Sequence, residues 1–244
     1  MTEVQILGIF GASAIPSLGW LVYFMRTRGV GRLAHGALFF LVGMVAAPIA
    51  LYLFSLLELS PFYAQLEDVD QVGKAKRFIY TLFGIGPVEE MSKFVAFWTI
   101  IRVLKLDARR MRDAILWTTA VSLGFAMLEN WYYMLEVQEV VWHRALTLPF
   151  NHVLFSSFWG VGYARYVQSG GRRRWLITTL ILAFIYHGLY DYILLSDAIN
   201  PLFVLPIVLL LYIWLTLNFR QDRGDSAARD GAAATGEVGS SDGE

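Results

Sequence analysis

Four hydrophobic segments of this chain, each long enough to cross a bilayer, carry polar or ionisable groups: Glu89, Glu90 and Lys93 in the first, Glu129 in the second, Asn151 and His152 in the third, and His187 and Asp191 in the fourth. A charged side chain at the centre of a membrane helix costs roughly 2.5–3.5 kcal/mol on insertion scales. Glu89, Glu90, Lys93, Glu129 and Asp191 together therefore forfeit on the order of 10 kcal/mol unless they meet one another inside a bundle. That penalty restricts the chain to folds in which the four segments share one polar site.

The membrane setting follows from composition. The chain is 57% hydrophobic and 16% charged, and its apolar residues fall in blocks about as long as a bilayer is thick. The predicted fold class is all-α, a polytopic membrane helix bundle of about seven transmembrane helices. Formal net charge is zero, so no dense basic surface is offered to nucleic acid. Cysteine is absent, which excludes thiol catalysis, disulfides and Cys-based zinc sites.

The hydrophobic runs predict spans at about 4–25, 33–57, 78–104, 113–135, 149–168, 175–195 and 200–219. The amino terminus has Glu3 and no basic leader, whereas Arg26, Arg28 and Arg32 follow the first span. The first span is therefore expected to be a retained anchor with its start outside. Arg102, Lys105, Arg109, Arg110 and Arg112, then Arg165 and Arg172 to Arg174, then Arg220 and Arg223, mark the cytoplasmic loops and a cytoplasmic carboxyl terminus. Lys74, Lys76 and Arg77 run against this pattern, at the end of an outer loop whose Phe62, Leu66, Val69 and Val72 have the spacing of an interfacial helix. Residues 1–220 make the membrane domain. Residues 221–244, rich in Asp, Gly, Ala and Ser, are expected to form a disordered tail.

On this topology the polar groups all fall in the outer half of the membrane, at about 1.5 Å per helical residue. Gly84, Gly86 and Pro87 loosen span three, so that a new half-helix is expected to begin there with both carboxylates in its first turn. Glu89 and Lys93 share a face at i,i+4, while Glu90 points about a quarter-turn away, so one Glu is expected to be held while the other works. His187 and Asp191 also share a face, and the carboxylate can select the imidazole tautomer. Two hydrolytic routes stay open. With Zn2+, Glu129, His152 and His187 form a His2Glu ligand set and Glu89 or Glu90 is the general base. Without a metal, a buried glutamate activates water directly. The zinc-protease pattern H-E-x-x-H is absent.

Glu89-Glu90-x-x-Lys93, Phe125-x-x-x-Glu129, His152 and His187-x-x-x-Asp191, in this order on successive spans, resemble the PrsW family of intramembrane proteases. The resemblance covers about 80–195. It extends to the wider group of CAAX prenyl proteases and abortive-infection-like membrane proteins, from which Glu129 and Lys93 depart. It implies cleavage of a single-pass membrane protein, such as an anti-sigma factor, near the extracytoplasmic face of a bacterial or archaeal cell membrane. It implies catalytic roles for Glu89, Glu90, Lys93 and Asp191, and leaves the metal open. The runner-up is an ion- or proton-coupled transporter using the same residues as a relay, against which stands the lack of an inverted repeat. Blander alternatives are an intrahelical Glu89–Lys93 pair, a packing role for His152, and a structural His187–Asp191 pair. Arg144 reads as a solvated loop charge, and Trp159 as a belt or packing residue.

Overall fold

The computed structural model describes residues 1–26, 33–59, 73–196 and 199–218. Helices α1 (Glu3–Arg26), α2 (Leu33–Glu58), α3 (Lys74–Tyr80), α4 (Gly86–Val103), α5 (Met111–Val137), α6 (Trp142–Gln168) and α7 (Arg174–Leu195) come in order, and α8 (Pro201–Asn218) closes the described chain. No strand occurs among the described residues, in line with an all-α bundle. The expected amphipathic segment around Phe62 to Val72 and the expected tail at 221–244 lie outside the described residues.

Length and composition alone make four helices fit to cross a membrane: Glu3–Arg26, Ala34–Leu57, Arg174–Leu195 and Pro201–Asn218. The helices that carry Glu89, Glu129 and His152 are less apolar because they hold the polar groups. α5 and α6 have 27 residues each, about 40 Å at 1.5 Å per residue. They form the centre: α5 is buried without a break from Asp113 to Met127, and α6 from Asn151 to Ala164. Helices covered on all sides need no polar face towards solvent, and the polar side chains of α6 point inward instead, Ser156 and Trp159 onto Glu90. α2 and α6 pack most extensively on α5, and α7 on α6.

Small residues set the closest crossings. A Cβ on Gly124 would lie 1.9 Å from the Phe40 carbonyl oxygen, and one on Gly43 1.9 Å from that of Val121, so α2 and α5 touch backbone to backbone. A Cβ on Gly86 would sit 2.6 Å from the Phe184 oxygen, and one on Gly188 2.6 Å from the Thr81 oxygen. These two glycines bring the start of α4 against α7.

The expected break before the Glu pair is a widened turn. Thr81–Ile85 forms a π-helical turn between α3 and α4, and α4 then opens with Pro87 in its first positions and Glu89 in its first turn. Proline brings no N–H to the helix, and a π-turn absorbs the mismatch without ending it. α6 also starts earlier than expected, at Trp142, with Pro149 inside it. His152 therefore lies ten residues into its helix, about 15 Å from the end.

Candidate active site

The first turns of α4, the second half of α5, the middle of α6 and the second half of α7 bring the four polar segments to one place. Glu90 lies at its centre and is fully buried. Its Oε1 accepts from Lys93 Nζ at 2.9 Å and faces His187 Nδ1 at 3.0 Å; its Oε2 accepts from Ser156 Oγ at 2.8 Å and Trp159 Nε1 at 2.9 Å. A carboxylate offers about four acceptor directions, so Glu90 is saturated. Glu89 has one partner of this kind, Lys93 Nζ at 3.3 Å on Oε2.

Lys93 is wholly buried, and three acceptors surround its ammonium: the two glutamates and His152 Nδ1 at 2.6 Å. The Phe125 ring closes one side with its centroid 4.0 Å from Nζ. Both i,i+3 and i,i+4 neighbours lie on one helix face, which explains why Lys93 holds both glutamates where the spacing alone favoured Glu89. The better-held carboxylate is Glu90.

Around this centre the histidines are oriented from outside. His152 Nε2 faces Glu129 Oε2 at 2.8 Å, and Glu129 Oε1 accepts from Arg144 at 2.6 Å. Arg144 also lies over the Tyr133 ring, 4.3 Å from its centroid; because α6 begins early, it is a helix residue bridging to α5 and not a loop charge. His187 stacks on Phe155 at 4.7 Å between centroids. With Nδ1 on Glu90, its Nε2 points to Asp191 Oδ2 at 3.4 Å and Glu89 Oε2 at 3.7 Å. Asn151 on α6 donates to the Tyr190 hydroxyl on α7.

Ligand atoms of Glu89, His152 and His187 lie within 4.8 Å of one another and form a buried group able to hold a metal ion. The set matches the expected type, two histidines and a glutamate, but its carboxylate is Glu89, while Glu129 stands on the opposite side of the His152 ring. The donors fit a divalent ion in number and chemistry, provided that the Lys93 ammonium withdraws from His152 Nδ1 and Glu89, and the Glu90–His187 contact is the carboxylate–histidine support such ligands use. Glu89, Glu90, Lys93, Glu129, His152, His187 and Asp191 thus lie in or against one cluster. Ser156 and Trp159 were missed as ligands of Glu90. With His152 they fall at i, i+4 and i+7 on one face of α6, and that periodicity is the signal that would have found them.

Beside the cluster, an apolar groove of 710 Å³ runs between α2 and α4, from Leu53 and Met91 to Leu41 and Ile100. Met91 directly follows Glu90 in sequence, so one end of the groove lies at the level of the carboxylates.

A family model described as PrsW family intramembrane metalloprotease matches residues 32–217. Protease PrsW of Bacillus subtilis (strain 168) is 27% identical over 220 residues, 87% of this chain and 94% of that protein. Protease PrsW of Oceanobacillus iheyensis is 28% identical over 151 residues, 61% of this chain and 68% of that protein. Protease PrsW of Halalkalibacterium halodurans is 31% identical over 116 residues, and there the match spans 46% of this chain and only 54% of the relative's length. No solved structure matches the chain.

Proposed function

This chain belongs to the PrsW family of intramembrane metalloproteases, and on that premise we propose that it hydrolyses a peptide bond of a single-pass membrane protein near the outer face of the cell membrane. One observation carries this reading: Glu89, a carboxylate with few partners, faces two histidines inside a cluster whose other members are all held in place. A hydrolytic site needs one group free to take a proton and several fixed groups around it.

Glu89 is the base in this proposal. It accepts a proton from water as the water oxygen bonds to the scissile carbonyl carbon. Charge developing on the carbonyl oxygen is met by the nearby positive charge of Lys93 and by His187 as the imidazolium, its Nδ1–H on Glu90 and its Nε2–H available to the oxygen. Glu89 then passes its proton to the amide nitrogen, the C–N bond breaks, and a carboxylate and an amine leave. Glu90 fixes Lys93 and His187 without reacting, and Glu129 with Arg144 fixes His152. Asp191, on the far side of His187 Nε2, steadies that ring.

A divalent metal would be held by Glu89, His152 and His187; Glu89 would then serve as a ligand in place of the base, and the ion would supply Lewis acidity, lowering the proton affinity of water and polarising the carbonyl. Zinc suits two imidazoles and a carboxylate. The apolar groove along α4 supports a membrane-embedded substrate, since it gives an apolar helix a path that reaches the level of the Glu pair at Met91 and Ser92.

The test is reconstitution of wild-type and Glu89→Gln protein with a panel of single-pass membrane proteins. Wild type is expected to yield a shortened fragment cut near the outer face, and the variant to lower its rate by about 10²-fold or more. Absence of any such fragment, together with ion flux through proteoliposomes that depends on Glu89 and His187, would replace the protease with a transporter.

A further inference from the structure

At the opposite end of the bundle a second cavity, of 480 Å³, opens among α6, α7 and α8. It lies where α6 runs out towards Gln168, α7 begins at Arg174 and α8 reaches Asn218. His187 is about 20 Å away along α7, at 1.5 Å per residue, so the cavity takes no part in the catalytic cluster.

Its rim is cationic. Arg165 and Arg174 both lie against the Trp175 ring, their guanidinium carbons 5.1 and 5.2 Å from its centroid. Arg165 donates to Asn218 Oδ1 at 3.2 Å, and among the described residues neither arginine has a carboxylate within ion-pair distance. A guanidinium carries five N–H donors in a fixed fork, so both arginines keep donor capacity at the rim of the cavity. The Thr179 hydroxyl is already committed to the Trp175 and Leu176 carbonyls, whereas the exposed Thr178 at the mouth is not. Deeper in, the walls are Val161, Leu182 and Trp214.

Two forked cations above an apolar floor, at the level where helices leave the membrane, match a molecule that is anionic at one end and hydrocarbon at the other. Arginine pairs bidentately with phosphate, and a free phosphate would have no use for the lower walls. We propose that this cavity binds one anionic glycerophospholipid, its phosphate between Arg165 and Arg174 and its acyl chains along Val161, Leu182 and Trp214. The site is a lipid clamp that fixes α8 to α6 and α7 from the basic side of the membrane, and it stands whether or not the chain is a protease.

Native mass spectrometry of the full chain, titrated with phosphatidylglycerol or phosphatidylcholine, tests this directly. One phosphatidylglycerol per chain is expected to be retained, with phosphatidylcholine retained at least tenfold less. Arg165→Gln and Arg174→Gln should each weaken retention about fivefold, the usual worth of one cation near an anionic lipid surface. Arg172→Gln and Arg173→Gln, which remove neighbouring charges that do not line the cavity, should change it less than twofold. Thr178→Trp fills the mouth with both arginines intact and should also lose the lipid, which keeps the test decisive if an arginine variant fails to fold. Equal losses at Arg172 and Arg174 would mean only diffuse attraction to a charged surface and overturn the site. Full displacement of the lipid by millimolar inorganic phosphate would make the cavity a phosphate site and overturn the lipid assignment.

Discussion

Replacing each member of the glutamate pair by glutamine separates a structural carboxylate from a working one. Glu90 accepts from Lys93, Ser156 and Trp159 and contacts His187 Nδ1, all between 2.8 and 3.0 Å. In Glu90→Gln one oxygen becomes an NH2 group, and whichever way the amide turns, two of these four neighbours face a donor. Hydrogen bonds to charged groups are worth about 1.5–3 kcal/mol each, so two lost bonds amount to roughly 3–6 kcal/mol, close to the range of about 3–5 kcal/mol seen when one partner of a buried ion pair is removed. For a chain of this size that corresponds to a fall in Tm on the order of 10 °C. Glu89 makes a single hydrogen bond, a long one of 3.3 Å, with His187 and His152 further off at 3.7 and 3.9 Å, so Glu89→Gln should cost about 1 kcal/mol while lowering cleavage by about 10²-fold or more. The assay is thermal unfolding in detergent monitored by tryptophan fluorescence, run beside the cleavage assay on the same preparations. A Glu90→Gln protein melting within about 2 °C of wild type, or a Glu89→Gln protein that is the less stable of the two, would refute the division of roles.

The geometry sets three further outcomes. If Glu89, His152 and His187 hold a metal, elemental analysis of purified protein should show one divalent ion per chain that is lost in His187→Ala; chelator-treated, metal-free protein with full proteolysis would leave Glu89 to act alone. Gly188→Ala places a methyl 2.6 Å from the Thr81 oxygen and the Leu82 Cα, and is expected to cost about 1–3 kcal/mol and to lower cleavage more than tenfold by parting Glu90 from His187. Arg144→Gln frees Glu129, which is partly exposed along with Arg144; stability should move by under about 1 kcal/mol, while cleavage falls several-fold, as a kcat effect with KM unchanged.

What was legible in the sequence was the energetic conflict and its resolution by depth. Glu89, Glu129, His152 and His187 could be assigned to one half of the bilayer from loop charges and rise per residue, and buried charge allowed no other outcome than contact. Individual partnerships were not legible, because they depend on crossings set by absent side chains. Gly86 and Gly188 let α4 and α7 meet at backbone distance, and that approach, invisible in any one helix, decides that Glu90 and not Glu89 receives His187. Arg144 was misplaced for a different reason. Pro149 was expected to begin a span, yet prolines are tolerated within packed membrane helices, so α6 extends back to Trp142 and carries Arg144 over Glu129.

The Thr81–Ile85 turn gives this helix a spare residue. A π-turn holds one residue more than the α-helix on either side needs, so the chain can be shortened there without changing the phase of α4. Deleting the exposed Phe83 should let α3 run into α4 as ordinary helix with Glu89 and Glu90 on their present faces. The same deletion at Val95 would swing the two ends of α4 about 100° out of phase and dismantle the cluster. The turn thus acts as a shim in the gene as much as in the protein: it is the place in this span where the loss of one codon can be absorbed.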